Sequence, residues 1–131
     1  MKHDPKVPYE SEEQQLLFEW ANLASKRVPE LDLLVAIPNG GLRNMSVAVR
    51  LKAEGTRKGF PDMILPVARG GYHSLAIELK RIKGGTVSPE QKKWLADLSV
   101  QGWKCAVCYG FEEAKAEIEK YLGITQKQRF T

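Results

Sequence analysis

Apolar residues recur at the spacing of an amphipathic helix near both ends of the chain. The segment SEEQQLLFEWANLASKR, residues 11–27, opens with a capping box formed by Ser11 and Gln14. Its apolar positions then follow the helical period at Leu16, Leu17, Trp20, Leu23 and Ala24. The segment FEEAKAEIEKYLG, residues 111–123, has the same spacing at Ala114, Ile118, Tyr121 and Leu122. Both segments are predicted to pack by one helical face.

Two further helices are predicted from the signals at their ends. The first covers about residues 45–54 and is closed by Gly55, where a left-handed C-terminal conformation suits glycine. The second begins with Ser88 as N-cap, Pro89 in the first helical position and Gln91 closing a capping box, and it ends at Gly102.

Short apolar runs bounded by turn residues predict the strands. Residues 33–37 form a first strand, residues 62–67 and 72–80 form a hairpin around the paired glycines of ARGG, and residues 103–109 form a last strand. The order α-β-α-β-β-α-β-α predicts an α/β protein in which helices flank a mixed sheet. The basic tail ITQKQRFT is expected to fray.

Length and charge narrow the class of protein. The 131 residues fit one domain, and no apolar run of about 18 residues could span a bilayer. The first 15 residues lack the apolar core of a secretory signal, so we expect a cytoplasmic protein with no membrane partner. The net charge is +4, and basic residues cluster at 43–58 and 80–93, including Arg57, Lys58, Lys83 and Lys92. These clusters suit phosphate contacts, although two solvated faces explain them equally well.

The cysteine and histidine positions do not predict a zinc site. Cys105 and Cys108 fall in the predicted strand KCAVCY, where residues three apart point to opposite faces. We therefore expect buried, reduced thiols. His3 and His73 lie far apart in the sequence, one in a predicted loose end and one in a strand.

The hairpin brings together three charged residues. Residues two apart in a strand share a face, so Glu78 and Lys80 point together. A turn centred on Gly70 places Asp62 nearly opposite Glu78, at a Cβ separation of about 4.5–5.5 Å. Like charges at this distance destabilise a sheet unless a cation offsets them. An ELK sequence at a strand end is also common on solvated faces, so the motif alone does not establish a site.

These three side chains match the needs of phosphodiester hydrolysis. Oxygen ligands favour a hard divalent ion, Mg²⁺ or Mn²⁺, which keeps coordination positions for water and a substrate phosphate. Such an ion polarises a phosphoryl oxygen and lowers the pKa of bound water. A neighbouring ammonium group can orient the attacking water or stabilise the developing negative charge.

The motifs GFPD and IELK resemble the signature of the PD-(D/E)XK nuclease superfamily. The wider set AIPNGG, LKAEGTRKGFPD, ARGGYHSLAIELK, SPEQKKWL and GW is similar to the VRR-NUC domain family within it, especially to small stand-alone members from phages and bacteria. The resemblance runs from about residue 10 to residue 122. It implies a restriction-endonuclease-like αβββαβ core at residues 10–123. From their own composition, residues 1–9 are expected to form a flexible N-terminus and residues 124–131 a basic tail. The valine-arginine-arginine tripeptide of the family name is absent from the sequence.

The resemblance also implies a metal-dependent DNA nuclease with particular site residues. Asp62 and Glu78 would be metal ligands, with the backbone carbonyl of Leu79 as a third. Lys80 would serve the nucleophile and the scissile phosphate. Gln91 matches a glutamine in the helix that follows the lysine strand, a position that the capping box also explains.

Two further positions carry alternatives. Glu13 matches the acid that the family places in the opening helix, but Glu10, Glu12 and Gln14 could fill the same role, and first-turn acids also stabilise a helix. Asn39 in IPNGG is either a turn residue or a DNA contact.

The resemblance extends to Holliday junction resolvases, which implies a homodimer that presents two sites to branched DNA. One alternative is a restriction-type endonuclease with a defined recognition sequence. Another is a non-catalytic DNA-binding accessory protein on a nuclease scaffold, and the intact set of Asp62, Glu78 and Lys80 argues against it.

Overall fold

The computed structural model describes residues 7–38 and 44–130. The helices are α1 (Glu10–Ala24), α2 (Met45–Ala53), α3 (Pro89–Val100), α4 (Phe111–Leu122) and α5 (Gln126–Phe130), and a 3-10 helix covers Pro29–Leu33. The strands are β1 (Val35–Ala36), β2 (Met63–Leu65), β3 (Leu75–Lys80) and β4 (Lys104–Tyr109). Within the described parts of the chain, every helix is too short or too polar to cross a membrane.

The four strands form one mixed sheet in the order β1-β2-β3-β4. The β1–β2 and β2–β3 pairs are antiparallel, and β4 is parallel to β3. A parallel neighbour requires a crossover connection, which α3 supplies between β3 and β4. The predicted mixed sheet with flanking helices is confirmed. The elements α1, β1, β2, β3, α3 and β4 follow the expected αβββαβ order, with α2 inserted between β1 and β2.

The core surrounds the central strand β3, all six residues of which are buried. Helix α1 contributes Leu17 and Ala21 to this core, and α4 contributes Ala114 and Ile118. Both helices therefore pack by one face, as their apolar spacing predicts.

The packing face of α1 is rotated from the predicted one. Leu16 and Leu23 were assigned to the packing face by their spacing, but they are 46% and 66% exposed. The buried positions are Glu13, Leu17 and Ala21, which lie four residues apart. At 100° per residue, Leu16 and Leu23 point about 100° and 120° away from Leu17, at the edge of the contact.

Several predicted element ends differ from the structure, including both hairpin strands, which are shorter than the predicted 62–67 and 72–80. Helix α1 begins at Glu10 with Tyr9 as N-cap, and the Glu12 carboxylate accepts the Tyr9 N–H at 3.0 Å, so Ser11 lies inside the first turn. The first strand is shorter than predicted, because the chain winds into the 3-10 helix that starts at Pro29, a residue suited to a helical first turn. The tail that was expected to fray contains α5.

The β2–β3 hairpin turns at two glycines. Gly70 and Gly71 have φ of +57° and +86°, and the backbones of Arg69 and Tyr72 exchange hydrogen bonds of 3.2 and 2.8 Å around them. This is the two-residue turn that the ARGG sequence predicts, but its centre lies between Gly70 and Gly71 and not on Gly70.

An extra residue in the first arm changes the pairing of the hairpin. The Arg69–Tyr72 pair closes the turn, and the next pair is Leu65–Leu75. Residues 66–68 lie between these pairs on the first arm, whereas only residues 73–74 lie between them on the second. Pro66 is the central residue of a three-residue turn, in which the Val67 N–H donates a 2.8 Å hydrogen bond to the Leu65 carbonyl. This bulge shifts the pairing by one residue, so that Asp62 lies across from Glu78 and their side chains share a face.

Candidate active site

The end of β3 carries two charged side chains that the fold buries almost completely. Glu78 is 1% exposed and Lys80 is 7% exposed, and Lys80 Nζ lies 3.7 Å from Glu78 Oε2. Both side chains project from the same face of the strand because they are two residues apart. A buried ion pair is costly unless further hydrogen bonds satisfy its remaining polar atoms.

Asp62 joins this pair from the residue before β2. Its Oδ2 accepts a 2.7 Å hydrogen bond from the Leu79 N–H, and its backbone carbonyl accepts one of 2.8 Å from the Ile37 N–H. These bonds hold the carboxylate beside β3. In an extended strand the N–H and C=O of one residue point to the same side, so the Leu79 carbonyl also faces Asp62.

Helix α3 brings Gln91 to the same cluster. Its Oε1 accepts hydrogen bonds from Lys80 Nζ at 3.0 Å and from the Ser88 N–H at 2.8 Å, and its Nε2 donates to Glu78 Oε2 at 3.0 Å. One side chain thus closes the capping box of α3 and bridges the acid and the lysine. The helix approaches closely at Gly59, where φ is +90° and a Cβ would lie 2.8 Å from the backbone of Glu90.

The electrostatics of the cluster centre on Glu78. Burial raises the pKa of Glu78 to about 8, and the neighbouring carboxyl group of Asp62 adds to the effect. The Lys80 ammonium lowers this pKa, and the charge of Glu10 raises it further. Glu78 Oε1 is buried and has no hydrogen-bond partner among the described residues.

The available oxygen atoms are those that a hard divalent cation prefers. Asp62 and Glu78 supply two carboxylates, and a cation between them would contact Glu78 Oε1 and offset the repulsion. Within residues 7–38 and 44–130, no group of three or more His, Cys, Asp or Glu side chains is placed to hold a metal ion. The Leu79 carbonyl is therefore the candidate for a third protein ligand.

The structure separates the two candidate acids of α1. Glu13 is buried, and its Oε2 accepts a 2.8 Å hydrogen bond from the Phe111 N–H, so it caps the start of α4. Burial raises the pKa of Glu10, and its carboxylate interacts with Lys80 and Asp62. Glu10 rather than Glu13 is thus the α1 acid that lies near the cluster. Both acids occupy one helical face, three residues apart, so the sequence pattern alone does not distinguish them.

Arg81 is a further residue of this region that the sequence pattern did not indicate. Its guanidinium donates hydrogen bonds to the carbonyls of Val7 at 3.1 Å and Pro8 at 3.3 Å, and it lies 5.4 Å from the centroid of the Tyr9 ring. These contacts hold the start of α1, and with it Glu10, against the end of β3. No local signal could reveal them, because Arg81 and Pro8 are 73 positions apart.

The predicted DNA-binding residues are exposed where the structure describes them. Arg57, Lys58, Lys83 and Lys92 are all on the surface. Lys58 Nζ lies 3.6 Å from a carboxylate oxygen of Glu90, an exposed ion pair that contributes little to stability. Asn39, the remaining candidate, lies outside the described residues.

The two cysteines lie in β4, as predicted, and both are free thiols. Cys108 is buried, and burial together with the charges of Glu117 and Glu113 raises its pKa to about 12. Cys105 is half-buried, and burial raises its pKa as well. His73 is exposed, and His3 lies outside the part of the chain that the structure describes.

Comparisons with known proteins match most of the chain. The family model described as "VRR-NUC domain" matches residues 2–112. A solved structure titled "VRR_NUC domain protein" is 28% identical in sequence, with a TM-score of 0.76, and the match covers 95% of this chain and 93% of that chain. No curated protein matches the sequence. The chain belongs to the VRR-NUC domain family, as its motifs predict.

Proposed function

We propose that this protein is a DNA endonuclease that hydrolyses phosphodiester bonds with the help of Mg²⁺ or Mn²⁺. Its family membership indicates a nuclease-type fold. The observation that carries the proposal is the buried Glu78 Oε1, which has no hydrogen-bond partner among the described residues and lies across from Asp62. Two opposed carboxylates destabilise a sheet, and a cation ligand explains their presence.

Asp62, Glu78 and the carbonyl of Leu79 would hold the cation. When bound, a divalent cation polarises a phosphoryl oxygen and lowers the pKa of a water molecule. The hydrogen bond from the Leu79 N–H orients the Asp62 carboxylate for this role. Glu10, rather than Glu13, is the α1 acid that we assign to the site, where it adds negative charge beside the two ligands.

Lys80 acts on the scissile phosphate. Its Nζ is held 3.0 Å from Gln91 Oε1 and 3.7 Å from Glu78 Oε2, so its position is set before a substrate arrives. The ammonium group stabilises the negative charge that develops on the phosphate, or it orients the attacking water. Gln91 is a positioning residue, because its amide holds both Glu78 and Lys80.

We propose branched DNA as the preferred substrate and a homodimer as the active form. A two-fold dimer presents two sites to two strands, as expected for a protein that resembles junction resolvases. The exposed basic side chains supply phosphate contacts, which set affinity and register rather than base preference: Arg57, Lys58, Lys83 and Lys92. Such an enzyme acts in the cytoplasm of a bacterial or phage-infected cell.

The test compares cleavage of linear, flapped and four-way DNA with Mg²⁺, Mn²⁺ or EDTA. We expect cutting with either metal and none in EDTA. Asp62→Asn should lose metal binding and turnover together. Lys80→Ala should bind metal normally in calorimetric titration but lose at least ~10²-fold in turnover, because the ammonium is not a ligand. Lys120→Ala, at an exposed lysine of α4 outside the two basic clusters, is the matched control and should cut normally.

The outcomes separate the alternatives. Cutting that persists unchanged in Asp62→Asn and Lys80→Ala contradicts the site. Cutting at defined sequences in linear DNA identifies a restriction-type enzyme. DNA binding without cutting under any metal condition identifies a non-catalytic accessory protein. Size-exclusion chromatography with light scattering tests the dimer.

A further inference from the structure

A cavity lies between the residues that follow β1, the loop before β2 and helix α3. It has a volume of about 390 Å³, and its lining includes Ile37, Pro38, Thr56, Arg57, Phe60 and Trp94. This volume falls within the range of about 300–1,000 Å³ that is usual for ligand sites. The metal-binding and catalytic assignments make no use of this cavity.

Three residues that line the cavity neighbour residues of the proposed active site along the chain or through a backbone hydrogen bond. Ile37 donates a 2.8 Å hydrogen bond to the Asp62 carbonyl, and Phe60 precedes Asp62 by two residues. Trp94 follows Gln91 by one turn on α3. The walls of the cavity are therefore joined directly to the segments that carry Asp62 and Gln91.

The walls of the cavity suit a flat ring. Phe60 and Trp94 pack edge to face with their ring centroids 4.9 Å apart, which fixes both rings. The indole N–H of Trp94 already donates to the Lys58 carbonyl at 3.1 Å, so its one polar atom makes no demand on a ligand. Exposed Arg57 adds a positive charge to the wall. Aromatic faces beside a cationic group are the usual means of binding unstacked bases.

We propose that this cavity receives one unstacked nucleobase of the DNA substrate, from a nucleotide next to the scissile phosphate, while Arg57 contacts the adjoining phosphate. The inference rests on the proposed function, because it takes DNA as the ligand. It also gives a physical reason for a preference for branched DNA. A base at a flap or junction is already unpaired, so placing it in the cavity avoids much of the unstacking energy that a duplex would require.

The test is an abasic scan of binding in EDTA, where we expect no cutting. Fluorescein-labelled flapped oligonucleotides carry a single abasic nucleotide at successive positions around the branch, and fluorescence anisotropy gives the affinity. At one position, the abasic nucleotide should weaken binding to the wild-type protein about 5- to 150-fold, because stacking of one base is worth about 1–3 kcal/mol. In Trp94→Leu the same abasic substitution should change affinity less than about two-fold, and Trp94→Phe should restore part of the penalty.

Two controls keep the test decisive. Trp20→Leu removes a tryptophan of α1 outside the cavity, so the abasic penalty should remain as in wild type. If Trp94→Leu does not fold by circular dichroism, wild type is irradiated with an oligonucleotide carrying 5-iododeoxyuridine at the sensitive position. The crosslinked peptide should then contain Phe60 or Trp94.

The proposal is overturned if no abasic position affects binding, if the penalty is equal in wild type and Trp94→Leu, or if the crosslink maps outside the cavity. Cleavage of the same oligonucleotides with Mg²⁺ is measured separately. Cutting without an abasic penalty supports the nuclease function and contradicts the base site. An abasic penalty without cutting supports the base site and contradicts the nuclease function.

Discussion

Replacing Glu78 with glutamine should stabilise the metal-free protein while removing its activity. Burial raises the pKa of Glu78 from 4.5 to about 8. At about 1.4 kcal/mol per pKa unit, this change corresponds to as much as about 5 kcal/mol of lost stability once the carboxylate is ionised. Glutamine has nearly the same shape without the charge, and its side-chain oxygen can still accept the hydrogen bond from Gln91 Nε2.

The sign of the pH dependence follows from the protons bound in each state. Between about pH 4.5 and pH 8, Glu78 keeps a proton in the native state that the unfolded chain has released. The free energy of unfolding therefore falls as pH rises through this window. Below this window Glu78 is protonated in both the native and the unfolded state, and no stability is lost. Above it Glu78 is ionised in both states, and the loss of stability stays constant.

The assay is urea unfolding in EDTA at pH 5 and pH 8. The stability gain of Glu78→Gln over wild type should be about 3–4 kcal/mol larger at pH 8 than at pH 5. Glu54→Gln makes the same chemical change at an exposed position and should show no such difference. Adding Mg²⁺ at pH 8 should raise the stability of wild type only, since the proposed ion binds the native ionised site. A gain that is equal at the two pH values would refute the reasoning.

Three further predictions concern neighbouring groups. Glu13→Gln should lower the free energy of unfolding by about 1–2 kcal/mol, because it weakens the bond to the Phe111 N–H, and it should spare turnover. Glu10→Gln should lower turnover without lowering the free energy of unfolding. The reverse pattern in unfolding and cleavage assays would exchange the roles of the two acids. Gln91→Ala should lose about 1 kcal/mol with the capping box and also slow cleavage, so wild-type turnover in this variant would count against the bridge. Cys108 should react with iodoacetamide at pH 8 at least ~10²-fold more slowly in the native protein than in urea, and rapid native labelling would contradict its burial.

Local sequence signals predicted the structure correctly where all the interacting residues lie close together in the sequence. The start of α3 is an example, because Ser88, Pro89 and Gln91 form the cap, the first helical residue and the capping box within four positions. The paired charges of β3 are another, since strand alternation alone places Glu78 and Lys80 on one face. The sequence did not show that the capping glutamine also contacts those charges, because that depends on how α3 packs on the sheet.

Contacts between distant segments could not be predicted from the sequence. The choice between Glu10 and Glu13 depends on the position of α4, which provides a partner for one acid and leaves the other near the cluster. The hydrogen bonds from Arg81 to the residues before α1 likewise join segments that are 73 and 74 positions apart. In each case the residue types are unremarkable, and only the packing of distant elements gives them a role.

The sequence alone determined the chemistry of the candidate site, because the types of Asp62, Glu78 and Lys80 set which ligands and charges the hairpin can present. The tertiary structure decided whether they meet. If the strands paired as a regular ladder from the Gly70–Gly71 turn, Asp62 would lie across from Leu79. Its side chain would then point to the face opposite that of Glu78. The extra residue at Pro66 shifts the register by one and brings the two carboxylates together, and since side chains alternate along a strand, that single residue determines whether the site forms.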